Sequence, residues 1–468
     1  LWRMRADIDL VSDQDFLKEY DLGVSSFSNS RDSLFNEFSR DIQEKDLDRV
    51  SGAMIFREWD RASLFLSGRY QQNPRLGNGN TPRHKDSTVQ TLPALDVFMH
   101  KGRIIEDFPL EFEASAQATY KYRREGTSGA RWDLVPKLSL PLSSEYGSVI
   151  ASAALRSTWY TTEATGHADM EKTERVKSDS SRQVVEVDVQ ASTEVSRVYE
   201  FEYDDEDFVK PGDSRWLAVK HSVVPRVSYF KRPNEDQKGN PNYDSYDRLS
   251  PQHDLVYSVE NTFTRKRESL LARTNEDGSE EIYSQIDYLD MLRLRLQQTY
   301  DIRESRRDDE RDVYERRPFR DIIAEMYFSW DGVWGLNSKS YWSPYTGNIT
   351  RHEHGVSLNL ADWGTFYTGM DFWNKVNDYD NQRDYRLSRL TFRGDLNLYG
   401  PFSSRFYYYW PLHGTSEEEM GLELIYNHQC FQLLTRFEKD ETDKSVMFFF
   451  ALGGGFGSPM SLYNFSDF

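Results

Sequence analysis

The chain has one cysteine, Cys430, in 468 residues, which excludes an intrachain disulfide and a thiolate metal cluster built from these residues alone. No run of 18 consecutive apolar residues occurs. That excludes a membrane-spanning helix but is silent on spanning strands, which place only every second residue in lipid. Basic charge is the scarcer sign: 58 Lys and Arg against 77 Asp and Glu give a formal net charge of -19. No nucleic-acid partner is expected, because such a partner requires a clustered basic face. The first residue is Leu1, and no charged segment, apolar stretch and small-residue cleavage site open the chain. The expectation is a mature or truncated fragment. No internal repeat with a period of about 20–50 residues appears, which argues against a propeller or a solenoid.

Aromatic residues are plentiful by contrast. The 28 tyrosines, 28 phenylalanines and 11 tryptophans make 14% of the chain, yet the mean hydropathy is -0.76. A large β-barrel in lipid reconciles the two, because its outer face takes apolar side chains and aromatic girdles while its lumen and loops stay polar. A soluble all-β protein is the competing explanation.

Strict two-residue alternation runs through segments long enough to cross a bilayer, for which a tilted strand needs about 9–11 residues. Leu110, Phe112, Ala114, Ala116, Ala118, Tyr120 and Tyr122 oppose Glu111, Glu113, Ser115, Gln117, Thr119, Lys121 and Arg123. A helix would scatter both sets over all its faces. The pattern returns at Val185–Ser192, at Leu292–Gln297, at Leu390–Leu398 and at Met420–Asn427. Roughly twenty such segments are present, far more than a sandwich uses. The expected fold class is all-β, a large antiparallel transmembrane β-barrel.

The connections point the same way, since such barrels alternate short turns at one end with longer polar loops at the other. Short links carry turn residues at Ser143–Gly147, Asp331–Gly335, Ala361–Gly364, Tyr399–Ser404 and Asn427–Gln429. Longer polar joins lie at Pro344–His352, Asn377–Asp384, Leu412–Glu418 and Lys439–Lys444. Two loops stand out: Lys231–Gln252, rich in Asn, Asp, Pro and Tyr, and Asp301–Arg317, almost wholly charged with both signs mixed. Solvated surface is the expectation for both, because mixed charge runs are normally solvated; folding over the lumen as a plug, or docking a partner, is the alternative. Residues 14–48 read either as a strand pair or as a short amphipathic helix within a loop.

No catalytic constellation, cofactor motif or metal site emerges. His352 and His354 share one face of a strand, but the segment reads as a polar loop entering a strand and no third ligand is evident. Gly453–Gly457 is not a phosphate loop, since no helix pattern follows it. Glu417, Glu418 and Glu419 fall in a loop, where solvation accounts for them.

Several stretches resemble, in order, the barrel of the lipopolysaccharide-assembly (LptD) family. Arg3, Ala6, Asp7, Asp9, Val11, Ser12, Asp13, Phe16 and Leu17 match its opening stretch. Thr91–Leu92–Pro93, read as preceding a strand, and Gly129–Leu142 (GARWDLVPKLSLPL) match two proline-bearing signatures, and His221–Tyr229 (HSVVPRVSY), followed by Gln237, Pro241, Tyr243, Asp244 and Asp247, matches a strand and its polar loop.

The resemblance implies an integral barrel of the Gram-negative outer membrane, not an enzyme, that translocates lipopolysaccharide and inserts it into the outer leaflet through a lateral seam. It implies as partners lipopolysaccharide, outer-membrane lipid, a plug lipoprotein (LptE-like) and periplasmic lipopolysaccharide-transport bridge proteins, with no cofactor. In the family a periplasmic β-jellyroll precedes the barrel. Residues 1–468 are therefore expected to be a single barrel domain lacking the jellyroll and the first strands, with 453–468 as a C-terminal tail. The seam strand would carry Val446, Phe448, Phe450 and Leu452, followed by Gly453 and Gly454, a weakly pairing end that suits a seam; an ordinary strand followed by a loop is the alternative. Where the family commonly has paired cysteines, only Cys430 stands, implying a disulfide to a segment outside these residues; a buried free thiol is the alternative. A generic porin or gated transporter, and a soluble carbohydrate-active enzyme, remain the competing functions.

Overall fold

A segment that alternates apolar and polar residues sends one set to each side of a sheet when it is extended. The computed structural model of the chain follows that rule and describes residues 1–13, 16, 34, 48–76, 86–165, 176–203, 208–274, 280–308, 315–376, 383–413, 418–439 and 444–452. Residues 14–48 and the 453–468 tail, with Gly453 and Gly454, thus lie largely or wholly outside the described residues.

The strands are β1 (Arg3–Asp7), β2 (Arg49–Trp59), β3 (Ala62–Gln72), β4 (Gln90–Ile105), β5 (Phe108–Tyr122), β6 (Gly126–Ser144) and β7 (Gly147–Thr165). They continue as β8 (Asp179–Ser192), β9 (Val195–Glu200), β10 (Ser214–Arg232), β11 (Gln252–Thr274), β12 (Glu280–Asp301), β13 (Ile322–Trp330) and β14 (Trp334–Trp342). The last third comprises β15 (Ile349–Asn359), β16 (Gly364–Val376), β17 (Arg383–Asn397), β18 (Phe402–His413), β19 (Glu419–Asn427), β20 (Phe431–Lys439) and β21 (Lys444–Leu452). All belong to one sheet, each strand antiparallel to its neighbour. β8 and β9 are two pieces of one strand position: β8 pairs with Arg226–Lys231 of β10 and β9 with Ala218–Val223. No pairing joins β1 to β21 among the described residues.

The expected alternation holds. On β6, Trp132, Leu134, Leu138 and Leu142 are exposed while Arg131 and Ser139 on the opposite face are buried. Register carries these faces around the sheet: Ala116 pairs with Leu134, and Gln117 with Asp133. Apolar residues face outward and polar ones inward, as a barrel in lipid requires. Toward the short-turn end the outward tryptophans cluster, Trp216 with Trp330 at 5.4 Å and Phe328 with Trp334 at 4.8 Å between ring centroids. Two sequence expectations need correction. Thr91–Leu92–Pro93 lies within β4 rather than before a strand, at a register shift between Thr91 and Ala94 where the missing proline N–H disturbs the ladder least. Arg351–His354 lies inside β15 rather than in a loop, because cross-strand partners on β14 and β16 continue through it.

Candidate functional site

The inner wall across β5 to β8 is strongly cationic. Antiparallel register sets Lys121 and Gln117 of β5, Arg131 and Asp133 of β6, Arg156, Thr158 and Tyr160 of β7, and Arg182 of β8 on one face. Asp133 takes up part of that charge by accepting from Arg156 at 3.0 Å and from Thr158 at 2.6 Å. The rest is met by the connection between β10 and β11, residues 233–251, which folds against this wall instead of standing out in solvent.

Local chemistry shapes that loop. Asp244 caps a 3-10 turn, Ser245–Asp247, by accepting from the Tyr246 N–H at 3.0 Å, while the Asp247 carboxylate accepts from the N–H groups of Tyr243 at 2.7 Å and Asp244 at 3.0 Å. The Asp247 oxygen not used in this reciprocal capping points at the wall, and so do both oxygens of Asp244. Arg131 donates to Asp244 at 2.7 Å, to Asp247 at 3.0 Å and to Gln117 at 2.9 Å, and Lys121 lies 3.0 Å from Asp244. Arg182 donates to Gln237 at 2.8 Å, to the Tyr246 carbonyl at 2.8 Å and to Thr158 at 3.0 Å. Arg131 is 2% exposed, Arg182 3% and Asp247 0%. Tyr246 lies beneath the guanidiniums of Arg131 and Arg156, at 5.4 and 5.8 Å from its ring centroid.

Burial of this kind sharpens the electrostatics. Desolvation alone would raise the Asp244 pKa, but the hydrogen bond and charge of Arg131, joined by Lys121, outweigh it and hold the carboxyl below its ordinary range. Burial, then the neighbouring Asp247 charge, pushes the Tyr243 hydroxyl up. The expectation of a merely solvated loop at Lys231–Gln252 is therefore corrected, and the folded-in alternative describes the molecule. For Asp301–Arg317, a one-turn helix Ile302–Ser305 is capped by Asp301, and Glu304 binds Arg307 at 2.9 Å; residues 309–314 are outside the described residues.

A second polar feature rings the remaining inner wall. Direct cross-strand register aligns Glu260 of β11, Arg295 of β12, Glu325 of β13, Lys339 of β14, Glu353 of β15, Asp371 of β16 and Arg389 of β17 in one row. Lys339 meets Glu325 at 2.9 Å and Arg389 meets Asp371 at 3.3 Å. These residues border a cavity of about 870 Å³. Nearer the last strand, Arg436 donates to the buried Glu423 at 2.8 Å and lies 5.5 Å from the Phe449 ring of β21.

The residues singled out in the sequence are scattered. Val446, Phe448 and Phe450 point outward from β21, exposed, and Leu452 ends that strand. Cys430 is exposed in the turn between β19 and β20, so the buried-thiol alternative is set aside; its N–H donates to His428 at 3.3 Å. His352 and His354 stand 4.8 Å apart, with His354 hydrogen-bonded to Ser338, and no group of three metal-binding side chains occurs among the described residues. Arg131 and Arg182 were not foreseen as functional, although the Asp244-x-x-Asp247 spacing is a legible capping signal.

Two expected outcomes follow from the loop's anchorage. Arg131→Ala leaves the buried Asp247 carboxylate without its cation and Asp244 with Lys121 alone, a change of about 3–5 kcal/mol against the folded-in loop; tryptic cleavage at Lys238 and Arg248 should accelerate by at least about tenfold, while unchanged cleavage would mean that the loop is held by other contacts. For pH, a depressed carboxyl pKa stabilises the loop fully above the ordinary carboxylate value of about 4 and progressively less as pH falls through the depressed value. Pepsin cleavage at Tyr243–Leu249, relative to the exposed Tyr399 turn, should therefore rise below about pH 4 and stay flat above it. A flat ratio throughout would rule out Asp244 as the titrating anchor.

No curated protein matches the chain. Among solved structures it is similar to the siderophore receptor PirA from Acinetobacter baumannii, at 9% identity over 84% of this chain and 73% of that one, with a TM-score of 0.32. It is also similar to PirA from Pseudomonas aeruginosa (10% identity, 86% and 77% covered, TM-score 0.32) and to the copper transporter OprC (10% identity, 86% and 70% covered, TM-score 0.25). A family model, LPS transport system D, matches residues 1–401. On that match, which spans β1 to β17, the chain belongs to the LptD family of lipopolysaccharide-transport proteins.

Proposed function

We propose that the protein receives lipopolysaccharide from a periplasmic protein bridge and releases it sideways into the outer leaflet of the outer membrane, making and breaking no bond. The observation that carries this reading is the family match over residues 1–401. An apolar outer face, a polar inner wall and short turns at one end support it, with that end toward the periplasm. The chain acts as one barrel domain, and 453–468 follow it as a tail. The inward loop at 233–251 and a plug lipoprotein together close the lumen, while β21 forms one side of the seam. Phe448 and Phe450, outward on a strand paired on one side only among the described residues, would meet the acyl chains. Cys430 lies at the short-turn end, where a periplasmic segment of the parent protein could reach it.

The competing reading is a porin or gated transporter, which requires a lumen open to water. The buried Arg131–Asp247 contact weighs against it, because it fills part of that lumen.

A photo-crosslinking residue placed at Phe448 or Phe450 of the full-length protein should capture newly made, pulse-labelled lipopolysaccharide before one placed at Trp132, on the wall far from β21. Capture at Trp132 first, or at all three together, would remove the seam from β21, and a steady open conductance in planar bilayers without any capture would favour the porin. For Cys430, the full-length protein should migrate differently on gels with and without reductant; identical migration would mean that the thiol is free.

A further inference from the structure

The outer face carries a basic patch at its long-loop end. Lys231, near the end of β10, stands directly opposite His253 of β11 and Val187 of β8. Val187 shares the outward face of β8 with Val185, which is 52% exposed, so Lys231 is on the lipid side of the wall. β12 runs into the one-turn helix Ile302–Ser305, which packs against β11. Arg303 and Arg306 stand three residues apart there, the Arg306 N–H donating to the Arg303 carbonyl at 3.1 Å, a spacing that puts both side chains on one side of the turn. The charges of Lys231 and Arg306 both reach the His253 ring.

Three exposed cations thus meet at one rim of a chain whose net charge is -19. Among the described residues none of the three belongs to an ion pair. The neighbouring acids are engaged elsewhere: Asp254 and Asp301 bind Arg320 at 3.2 and 3.0 Å, Glu304 binds Arg307 at 2.9 Å, and Asp308 binds Arg316 at 2.7 Å. Aromatic rings mark the depth of the patch. The Tyr229 hydroxyl lies 3.0 Å from Nε2 of His253, and Tyr300 packs on Phe319 at 5.0 Å between ring centroids. Tyrosines in such a girdle sit at headgroup level, so cations beside them meet the charged groups of a leaflet. Immediately below, Val187, Val189 and Leu255 continue the same face with apolar side chains. An occupant that suits both parts is anionic at one end and hydrocarbon at the other.

We propose that Lys231, Arg303 and Arg306 bind the sugar-linked phosphates of a glycolipid seated in the outer leaflet against β10 to β12. The guanidiniums can take a phosphate bidentately and the ammonium as a point charge. The site holds lipid that is already in the leaflet, nine strands along the sheet from β21. The inference rests on the reading above that the long-loop end faces outward and that lipopolysaccharide is delivered to that leaflet.

The test places a photo-crosslinking residue at Phe319, 41% exposed, in the full-length protein in detergent, with lipid A, the phosphorylated anchor of lipopolysaccharide, as the probe. Removing the phosphates from lipid A should lower capture about tenfold, and so should combining K231Q, R303Q and R306Q in a protein whose heat-modifiable gel migration is unchanged. Equal capture of the phosphate-free lipid, or undiminished capture by the folded variant, would overturn the site. Phosphatidylglycerol captured as well as lipid A would reduce it to contact with any anionic lipid, and full competition by inorganic phosphate would reduce it to a free-anion site; either overturns the glycolipid assignment. Orientation is checked separately on intact cells, where trypsin added outside should cut within Arg303–Arg317. Cutting only after the outer membrane is permeabilised would overturn the reading on which the site rests, whereas external cutting with phosphate-independent capture overturns the site alone.

Discussion

Hydrocarbon offers no hydrogen-bond partner to a peptide group, so every amide in a spanning segment must be met by a neighbouring strand. That constraint accounts for the long unbroken ladders from β10 through β12 and for the placement of irregularities. Pro225 is instructive. It sits in the middle of β10 and has no N–H to give, and it stands opposite the break between β8 and β9, where the Thr193 N–H reaches its carbonyl at 3.3 Å. The donor that proline lacks coincides with the place where the neighbouring strand is interrupted, so the ladder loses little. Similarly, the ladder between β6 and β7 skips Val135 and Pro136, although the register on either side of them is unchanged.

Once the ladder is fixed, the side of each side chain is fixed with it, and a cationic inner wall at β5 to β8 follows from residues that look unremarkable in isolation. Four guanidinium or ammonium groups on one concave face would repel one another strongly in a partly desolvated space. Asp133 answers from within the wall, and Asp244 and Asp247 answer from the loop. The loop is thus held by the wall's own need for counter-charge, and its inward fold and the burial of Arg131 are two descriptions of one arrangement.

The strands were readable because period two is a local property. β5, β8, β12, β17 and β19 each announce themselves within about ten residues, and the register confirms the faces assigned to Leu110–Tyr122, Val185–Val189 and Leu390–Leu396. The loop at Lys231–Gln252 was misread because its partners are distant: Arg131 and Asp247 are 116 positions apart, and composition reports nothing at that range. Mixed polar residues look alike whether water or an arginine receives them. Parity also fails where a bulge intervenes, as between Phe263 and Thr264 on β11, after which the pairing with β12 skips Met291. Ile425 shows the converse limit: an apolar residue at an inward position of β19, 3% exposed, which alternation alone would assign to neither role.

The net charge of -19 then has a location. It does not reside in the inner row from Glu260 to Arg389, where acids and bases nearly balance and several pair directly. Nor does it come from Asp301–Arg317, where the signs are mixed. It gathers instead in short acidic runs of the sequence, six acids without a base in Glu200–Asp207, six in Glu276–Asp290 and three in Asp440–Asp443 before β21. Like charges crowded along an edge disfavour pairing of that edge with itself. A barrel wall that must leave some strands unmatched can in this way stay soluble at its margins while the lumen, internally neutralised, remains free to bind its own loop.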